Sequence, residues 1–133
     1  MVEKIHDNPE LAYQEHHAHA TICTFLEEHT TIPVTRNAYG LATAFEAVSG
    51  SGGKCINFNA EYDALPGIGH ACGHNLIATA SVTGFLALSH LIEQFGISGQ
   101  AQLLGTPAEE DGGGKIDLLK AGAYDKADVS LMM

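Results

Sequence analysis

Apolar residues at helical spacing predict two long helices. The first begins at Asn8 and Pro9, because asparagine caps free amides and proline suits the first helical position. Its apolar face carries Leu11, Ala18, Ile22, Phe25 and Leu26. Its opposite face is polar, and we expect that face to be exposed: it carries Glu15, His16, His17, His19 and Glu27.

The second long helix spans residues 75–96 and is apolar almost all the way round. Such a helix is buried on more than one side, and Gly96 is a natural stop at its end. Threonine and serine side chains interrupt its apolar run, so we interpret it as a core helix and predict no membrane span.

Four apolar segments predict strands, at residues 40–48, 55–62, 100–106 and 129–133. The glycine-rich turn at residues 49–53 predicts that the first two strands form an antiparallel hairpin. One face of the second strand is apolar, whereas the other carries Asn57, Asn59 and Glu61. A short helix at about residues 115–121 precedes the last strand.

Strands that alternate with helices indicate parallel crossovers and a sheet covered by helices. We therefore predict an α/β fold with three layers, helix–sheet–helix, around a mixed and mostly parallel sheet. Two polar, glycine-rich motifs, at residues 59–75 and 105–114, directly follow the second and third strands. Since the carboxyl ends of parallel strands line one crevice, these motifs are expected to face each other there.

Composition narrows the range of partners. With 45% hydrophobic and 17% charged residues, 133 residues suit one globular domain. A formal net charge of −10 argues against nucleic acid, because binding to phosphates needs basic side chains. The three cysteines are an odd number at unrelated spacings, which favours a reducing compartment and predicts a cytoplasmic protein.

The first motif offers transition-metal ligands. Cys72 and His74 lie two residues apart across a glycine, so a turn points both side chains to the same side. Thiolate and imidazole are ligands that zinc prefers, and Asp63 could orient a histidine ligand. The alternatives are a buried structural cysteine beside a surface histidine, and an ordinary turn aspartate.

The second motif offers paired carboxylates, Glu109 and Glu110, after Pro107. In metal hydrolases one carboxylate commonly binds metal while another acts as general base toward water. The alternative is a solvated acidic loop. Patterns for nucleotide binding, for a serine nucleophile elbow and for zinc deaminases do not occur.

Four linked stretches resemble one known family: residues 8–11 (NPEL), 61–66 (EYDALP), 69–75 (GHACGHN) and 105–114 (GTPAEEDGGG). That family comprises zinc metallopeptidases and amidohydrolases such as aminoacylase, carboxypeptidase G-type enzymes and aminobenzoyl-glutamate hydrolase. The chain is most similar to the dipeptidase-like branch that acts on β-alanyl-lysine type dipeptides. Asn75, where the bacterial amidohydrolases commonly have aspartate, is one reason for preferring that branch.

The resemblance implies a dinuclear centre, usually of two Zn²⁺ ions and sometimes of Mn²⁺ or Co²⁺. Cys72 would stand where relatives place a bridging ligand, and His74 and Glu110 would also bind metal. Glu109 would be the general base and Asp63 would orient the site, while His70 would lie outside the ligand set. The implied reaction is hydrolysis of an amide bond in a dipeptide or an N-acyl amino acid.

Such relatives supply further histidine ligands beyond position 133 and carry an inserted lid and dimerisation domain. The resemblance therefore implies that residues 1–133 are part of a catalytic domain, and that the longer protein forms a homodimer. Because the sequence ends inside an apolar strand, we also expect it to be a truncated piece of a longer protein. Two rival hypotheses remain: an amidase with Cys72 as nucleophile, and a metal- or partner-binding fragment without activity.

Overall fold

A computed structural model describes residues 1–132 of the chain. Five strands and four α-helices make up the fold, and two single 3₁₀ turns lie at Ala38–Gly40 and His70–Cys72. In chain order the elements are α1 (Val2–His6), α2 (His16–His29), β1 (Val34–Arg36), β2 (Phe45–Ser51), β3 (Lys54–Ala60), α3 (His74–Phe95), β4 (Gly99–Gly105), α4 (Gly114–Lys120) and β5 (Val129–Leu131).

The strands form one mixed sheet in the order β1-β2-β4-β3-β5. Strand β4 is parallel to β3 and antiparallel to β2, and the outer pairs are β1–β2 antiparallel and β3–β5 parallel. The predicted mixed α/β sheet is confirmed, but it is not mostly parallel, since two of its pairings are parallel and two are antiparallel. Strand β1 has no counterpart in the prediction, and β2 begins at Phe45 and not at residue 40.

The predicted hairpin between β2 and β3 is wrong, because β4 lies between them. The glycines of the turn allow this arrangement by letting the backbone at the start of β4 come close. A Cβ atom on Gly50 would lie 2.4 Å from the Gly99 carbonyl oxygen, and one on Gly53 would lie 2.0 Å from that of Ser98. The glycine-rich turn therefore serves a close approach to β4 and does not connect paired strands.

Helices cover both faces of the sheet, which confirms the three layers. The larger core joins α1, α2 and α3 to one face, and its largest fully buried side chains include Ile5, Ile22, Leu26, Phe45, Tyr62, Phe85 and Leu103. A smaller core packs Leu118 of α4 and Ala123 against Leu104 on the other face. Burial of these apolar surfaces is the main force holding the layers together.

The first long helix begins later than predicted, at His16. The side-chain amide of Asn8 donates to the Lys4 carbonyl oxygen at 2.9 Å, so it ends α1 and does not start α2. The expected exposed face is also partly wrong. Glu15 is 0% exposed and His19 is 6% exposed, and the ring of His19 packs 6.1 Å from that of Phe45.

The polar face of β3 is buried because β5 and the segment before it supply partners. The Asn57 side-chain amide donates to the Ser130 hydroxyl at 3.2 Å, and that of Asn59 donates to the Leu131 carbonyl oxygen at 3.1 Å. The Tyr124 hydroxyl donates to Asn59 Oδ1 at 3.0 Å. These bonds pair the Asn59 side chain and the Asn57 side-chain amide, whereas Asn57 Oδ1 has no hydrogen-bond partner within residues 1–132.

Strand β5 forms one edge of the sheet and is exposed, although its sequence is mostly apolar; Met133 lies outside the described residues. Helix α3 runs from His74 to Phe95 and ends at Gly96 in the left-handed region, as predicted. By length and composition alone, α3 is the one helix within residues 1–132 that could cross a membrane. Its packing against β3 and β4 is that of a core helix.

Candidate metal centre

Both motifs begin at the same end of the sheet. Ala60 and Gly105 are partners in the parallel ladder, and the Thr106 amide donates to the Ala60 carbonyl oxygen at 2.8 Å. The chain then leaves β3 toward Asp63 and His74, and leaves β4 toward the paired glutamates. The expected convergence of the two motifs at the carboxyl ends of parallel strands is thus present in the structure.

His74 lies at the centre of the cluster, at the first residue of α3. Its Nδ1 donates to the Asp63 carbonyl oxygen at 2.9 Å; a carbonyl only accepts, so the proton is on Nδ1. Its Nε2 faces three carboxylates, with Glu61 Oε2 at 3.3 Å, Glu109 Oε2 at 3.7 Å and Glu110 Oε1 at 3.8 Å. Burial opposes a charged imidazole, but hydrogen bonds and charge from Asp63 raise the pKa of His74.

Asp63 connects the two motifs. Its Oδ2 accepts a hydrogen bond from the Glu110 amide at 2.9 Å, and its Oδ1 lies 3.1 Å from His74 Nδ1. Burial favours the neutral acid, but the bonds with His74 and with the Glu110 amide outweigh it and lower the pKa of Asp63. The lowered pKa favours an ionised Asp63 carboxylate, which lies between His74 and the second motif.

Two groups of donor atoms have the composition of a metal site. The first is Cys72, His74 and Glu110, and the second is Glu61, His74 and Glu109; within each group the donor atoms lie within 4.8 Å of one another. A thiol, an imidazole and carboxylates suit a borderline-soft divalent ion such as zinc. Four acidic side chains lie within 4 Å of the His74 ring nitrogens, one lysine, Lys115, contacts Glu61, and a divalent cation would offset the repulsion between the carboxylates. The residues present fit a metal.

The predicted ligands and base are brought together at this cluster. Cys72 is half-buried, with its Sγ 3.6 Å from the Asp63 carbonyl oxygen. Burial raises the pKa of its thiol, and the charges of Glu110 and Asp63 act in the same direction. Without a cation the thiol is thus held protonated, and a bound metal would drive its ionisation. The Glu109 side chain is 43% exposed, so an external molecule can reach it.

Sequence reasoning assigned no part in the site to Glu61 or Lys115. Glu61 is 2% exposed, and one of its carboxylate oxygens accepts a hydrogen bond from Lys115 Nζ at the start of α4. Glu61 lies two residues before Asp63 at a strand end, so alternation along the chain places both on one side. That spacing was a usable signal for Glu61, whereas the position of Lys115 depends on how α4 packs.

His70 lies beside the ligand cluster without joining it. The side chain is 8% exposed, and its ring lies 6.5 Å from that of His6. Within residues 1–132, neither ring nitrogen has a hydrogen-bond partner. Burial lowers the pKa of His70, and the nearby His74 adds to that effect. The structure therefore places His70 next to the candidate ligands as a neutral side chain.

Comparison with known proteins gives related sequences and folds, although no protein-family model matches the chain. The chain is 44% identical over 135 residues to a Xaa-Arg dipeptidase of Mus musculus, covering 93% of this chain and 31% of that protein. It is 32% identical over 148 residues to one of the subunits of p-aminobenzoyl-glutamate hydrolase from Escherichia coli K12, covering 98% and 31% respectively. The chain thus spans about a third of the length of these curated relatives.

A crystal structure gives the same result for the fold. A Bacillus subtilis protein described as a dinuclear metal binding peptidase from the M20 family superposes with a TM-score of 0.82 at 28% identity, covering 98% of this chain and 40% of that one. Because both comparisons cover nearly the whole chain, they include the two motifs and the strands that carry them. The chain therefore belongs to the M20 family of metallopeptidases and amidohydrolases.

Proposed function

We propose that the whole protein is a metal-dependent hydrolase that cleaves the amide bond of a dipeptide or an N-acyl amino acid. One observation carries the proposal: the donor atoms of Cys72, His74 and Glu110 converge beside the accessible carboxylate of Glu109. The names of the relatives support the same reaction class, since they include a dipeptidase and an aminobenzoyl-glutamate hydrolase.

We assign Cys72, His74 and Glu110 to metal binding, with Glu61 beside His74 available to a second ion. Two Zn²⁺ ions are proposed, with Mn²⁺ or Co²⁺ as alternatives. A bound ion would polarise the amide carbonyl and lower the pKa of water. Asp63 holds His74 by its backbone carbonyl, which keeps Nε2 directed at the cluster.

Glu109 performs the proton transfers in this proposal. Its carboxylate takes a proton from the attacking water and passes it to the amine nitrogen that leaves. The side chain suits this role because it borders the cluster, with Oε2 3.7 Å from His74 Nε2, and is accessible from outside. Glu110 differs in being more buried, at 26% exposure, which suits a ligand.

The substrates to test first are dipeptides with a C-terminal arginine or lysine. Two relatives, from Mus musculus and Homo sapiens, are each 44% identical to this chain and are named Xaa-Arg dipeptidase. The formal net charge of −10 favours the approach of cationic substrates. N-acyl amino acids form the second series, because one relative is named as part of a p-aminobenzoyl-glutamate hydrolase.

Replacing Glu109 by glutamine in the whole protein tests the proposal. We expect E109Q to lower kcat by about 10²–10⁴-fold, because the proton acceptor is lost. Bound metal, measured by elemental analysis, should remain at the wild-type level. Asp111→Asn is the matched control, since Asp111 is an exposed acid in the same loop, and it should keep full turnover. Normal kcat in E109Q would remove Glu109 from its role.

A Cys72-nucleophile amidase is the weaker hypothesis. A thiol nucleophile needs surroundings that favour thiolate, whereas burial raises the pKa of Cys72 and the charges of Glu110 and Asp63 act in the same direction. If the whole protein binds metal but hydrolyses no substrate of either series, the non-catalytic hypothesis gains support. Cytoplasmic location, a homodimer and the lack of nucleic-acid or membrane partners stay predictions.

A further inference from the structure

Glu15 is a fully buried carboxylate outside the ligand cluster. It precedes α2 and binds three segments of the chain. Its Oε1 accepts hydrogen bonds from the Tyr13 and Ala108 amides, both at 2.9 Å. Its Oε2 accepts the Thr43 hydroxyl at 2.7 Å. Burying a carboxylate is unfavourable unless such bonds satisfy it, so its place in the fold depends on these three donors.

Ala108 is the partner that matters for the site, because it comes directly before Glu109. It has a φ of +56°, in the left-handed region that a non-glycine residue seldom adopts. Its amide is held by Glu15, and its carbonyl oxygen accepts the Gly114 amide at 3.0 Å. A disfavoured backbone conformation persists only where its surroundings hold it, and Glu15 supplies one of these two restraints.

The loop that carries Glu109 is held by buried carboxylates on both sides. Glu15 binds the amide of the residue before Glu109, and Asp63 Oδ2 binds the amide of Glu110, the residue after it. Glu109 thus lies between two fixed peptide groups, although its own side chain is 43% exposed. This arrangement fixes the backbone from which the exposed Glu109 side chain extends.

Tyr13 holds the same loop further along. Its hydroxyl lies 2.8 Å from Asp117 Oδ2 and 3.1 Å from the Gly112 carbonyl oxygen, either of which accepts its proton. Its ring lies so close to Gly112 that a Cβ atom there would be 2.4 Å away. The turn at residues 13–15 therefore contacts the second motif on both sides of the paired glutamates.

We propose that Glu15 is a positioning residue for Glu109, which sets the peptide at Ala108 so that the Glu109 carboxylate stands beside His74. The inference rests on the proposed role of Glu109 as general base. Glu15 itself touches neither the ligand cluster nor a substrate. It acts through one hydrogen bond to the backbone, and a base displaced by about 1 Å can lose about 10²-fold in rate.

Three substitutions in the metal-loaded whole protein separate positioning from general stability. We expect E15A to lower kcat for a Xaa-Arg dipeptide by about 10–100-fold, with KM and bound metal near their wild-type values. E15Q should recover most of this loss, because its carbonyl oxygen can accept both amides while its NH₂ group faces the Thr43 hydroxyl. T43V is the matched control: it removes one bond to Glu15 but leaves Ala108 held, and should keep wild-type kcat.

Hydrogen–deuterium exchange of the peptide that covers residues 106–112 gives a readout independent of turnover. Exchange should be faster in E15A than in wild type, and close to wild type in E15Q and T43V. Wild-type kcat in E15A overturns the inference, as does a loss of kcat with unchanged exchange. Equal losses of kcat in E15Q and E15A also overturn it, because the charge would then matter and not the hydrogen bond.

E15D covers the case in which E15A does not fold. It keeps the carboxylate but shortens the side chain by one methylene group, so the Ala108 amide loses its acceptor. The same changes in kcat and exchange are expected, and wild-type kcat with faster exchange contradicts the inference. If the wild-type protein itself hydrolyses no substrate, the proposed function fails. If the wild-type protein is active and the Glu15 variants have the same kcat and exchange, the positioning role alone fails.

Discussion

Gly105 ends β4 and is the first residue of the second motif, and it lies where the core leaves no room for a side chain. A Cβ atom there would lie 2.1 Å from the Phe45 ring and 2.7 Å from the Tyr62 hydroxyl. Both aromatic side chains are fully buried and stack on each other, with ring centroids 6.2 Å apart. The core below the candidate metal centre is therefore packed without room for another methyl group.

Gly105→Ala should lower the free energy of unfolding by about 1–3 kcal/mol, because the methyl group overpacks a rigid core. Gly99→Ala is the matched control at the other end of β4. Its Cβ would lie 3.5 Å from the Lys54 carbonyl oxygen and 4.0 Å from the Ile97 side chain, which are ordinary contacts. The stability of this control should equal or slightly exceed that of wild type. Urea titrations of the three proteins measure the difference, and equal midpoints would contradict the packing argument.

At the scale of elements, Asp128 helps to attach the short strand β5 to the sheet. Its Oδ2 accepts the Cys55 amide at 2.8 Å, and its Oδ1 accepts Lys54 Nζ at 2.6 Å. The Asp128 amide in turn donates to the Cys55 carbonyl oxygen at 2.9 Å. These bonds set the parallel register of β5 on β3, which in turn buries Asn57 and Asn59.

The contribution of Asp128 to stability should depend on pH. The hydrogen bonds from Lys54 and from the Cys55 amide lower the pKa of its carboxyl below the ordinary value of 3.8. A lowered folded-state pKa means that the stabilisation is fully present above the unfolded pKa, and is lost as the pH falls through the folded one. D128N should therefore be less stable than wild type near neutral pH, and the difference should shrink in acid.

Urea unfolding of wild type and D128N in neutral and in acidic buffer measures this change. Asp125→Asn, at an exposed position three residues earlier, is the control for replacing a nearby carboxylate. A stability difference that persists unchanged below the folded pKa would show that the carboxylate charge at Asp128 does not stabilise β5.

For the whole molecule, the surplus of negative charge at the site links metal binding to stability. Glu61, Asp63, Glu109 and Glu110 gather around His74, with Lys115 as the nearby cation, and the whole chain carries a formal net charge of −10. A divalent ion that binds the folded state alone stabilises it by mass action. Chelation should therefore weaken the fold as well as abolish any hydrolysis.

Zn²⁺ at about 100 times its Kd should raise the free energy of unfolding by about 2.7 kcal/mol, and chelation should reverse the gain.

Chelation should also make Cys72 accessible to alkylation. Cys23 should stay unreactive in the folded protein, since burial leaves it fully enclosed and raises its pKa to about 12. Thermal unfolding and mass spectrometry of alkylated peptides give both readouts, and H74A removes the effect of Zn²⁺. Alkylation of Cys72 at the same rate with and without Zn²⁺ would contradict its role as a ligand.

Local features of the fold and the meeting of the two motifs follow from patterns in the amino-acid sequence. Helical periodicity located α3 and its stop at Gly96, and strand-then-motif order placed both motifs at the carboxyl ends of β3 and β4. Residue chemistry identified Cys72, His74 and the pair Glu109 and Glu110, and the resemblance to a known family singled out Glu110. The fold brings the donor atoms of Cys72, His74 and Glu110 together. These features depend on residues close together in the chain, or on the rule that parallel strands have their carboxyl ends at one edge of the sheet. A sequence pattern is therefore enough to predict them.

Other features depend on which distant segments meet, and these are visible only in the folded chain. Strand β4 lies between β2 and β3, so these two strands do not form the expected hairpin. Glycines 50 and 53 allow this because they leave room for the backbone at the start of β4. The sequence pattern places Glu15 on an exposed helix face. It is buried because Tyr13, Thr43 and Ala108, from three segments of the chain, donate hydrogen bonds to its carboxylate. A sequence pattern predicts that a polar side chain is exposed, and its burial becomes favourable only when partners far away in the chain satisfy its hydrogen bonds.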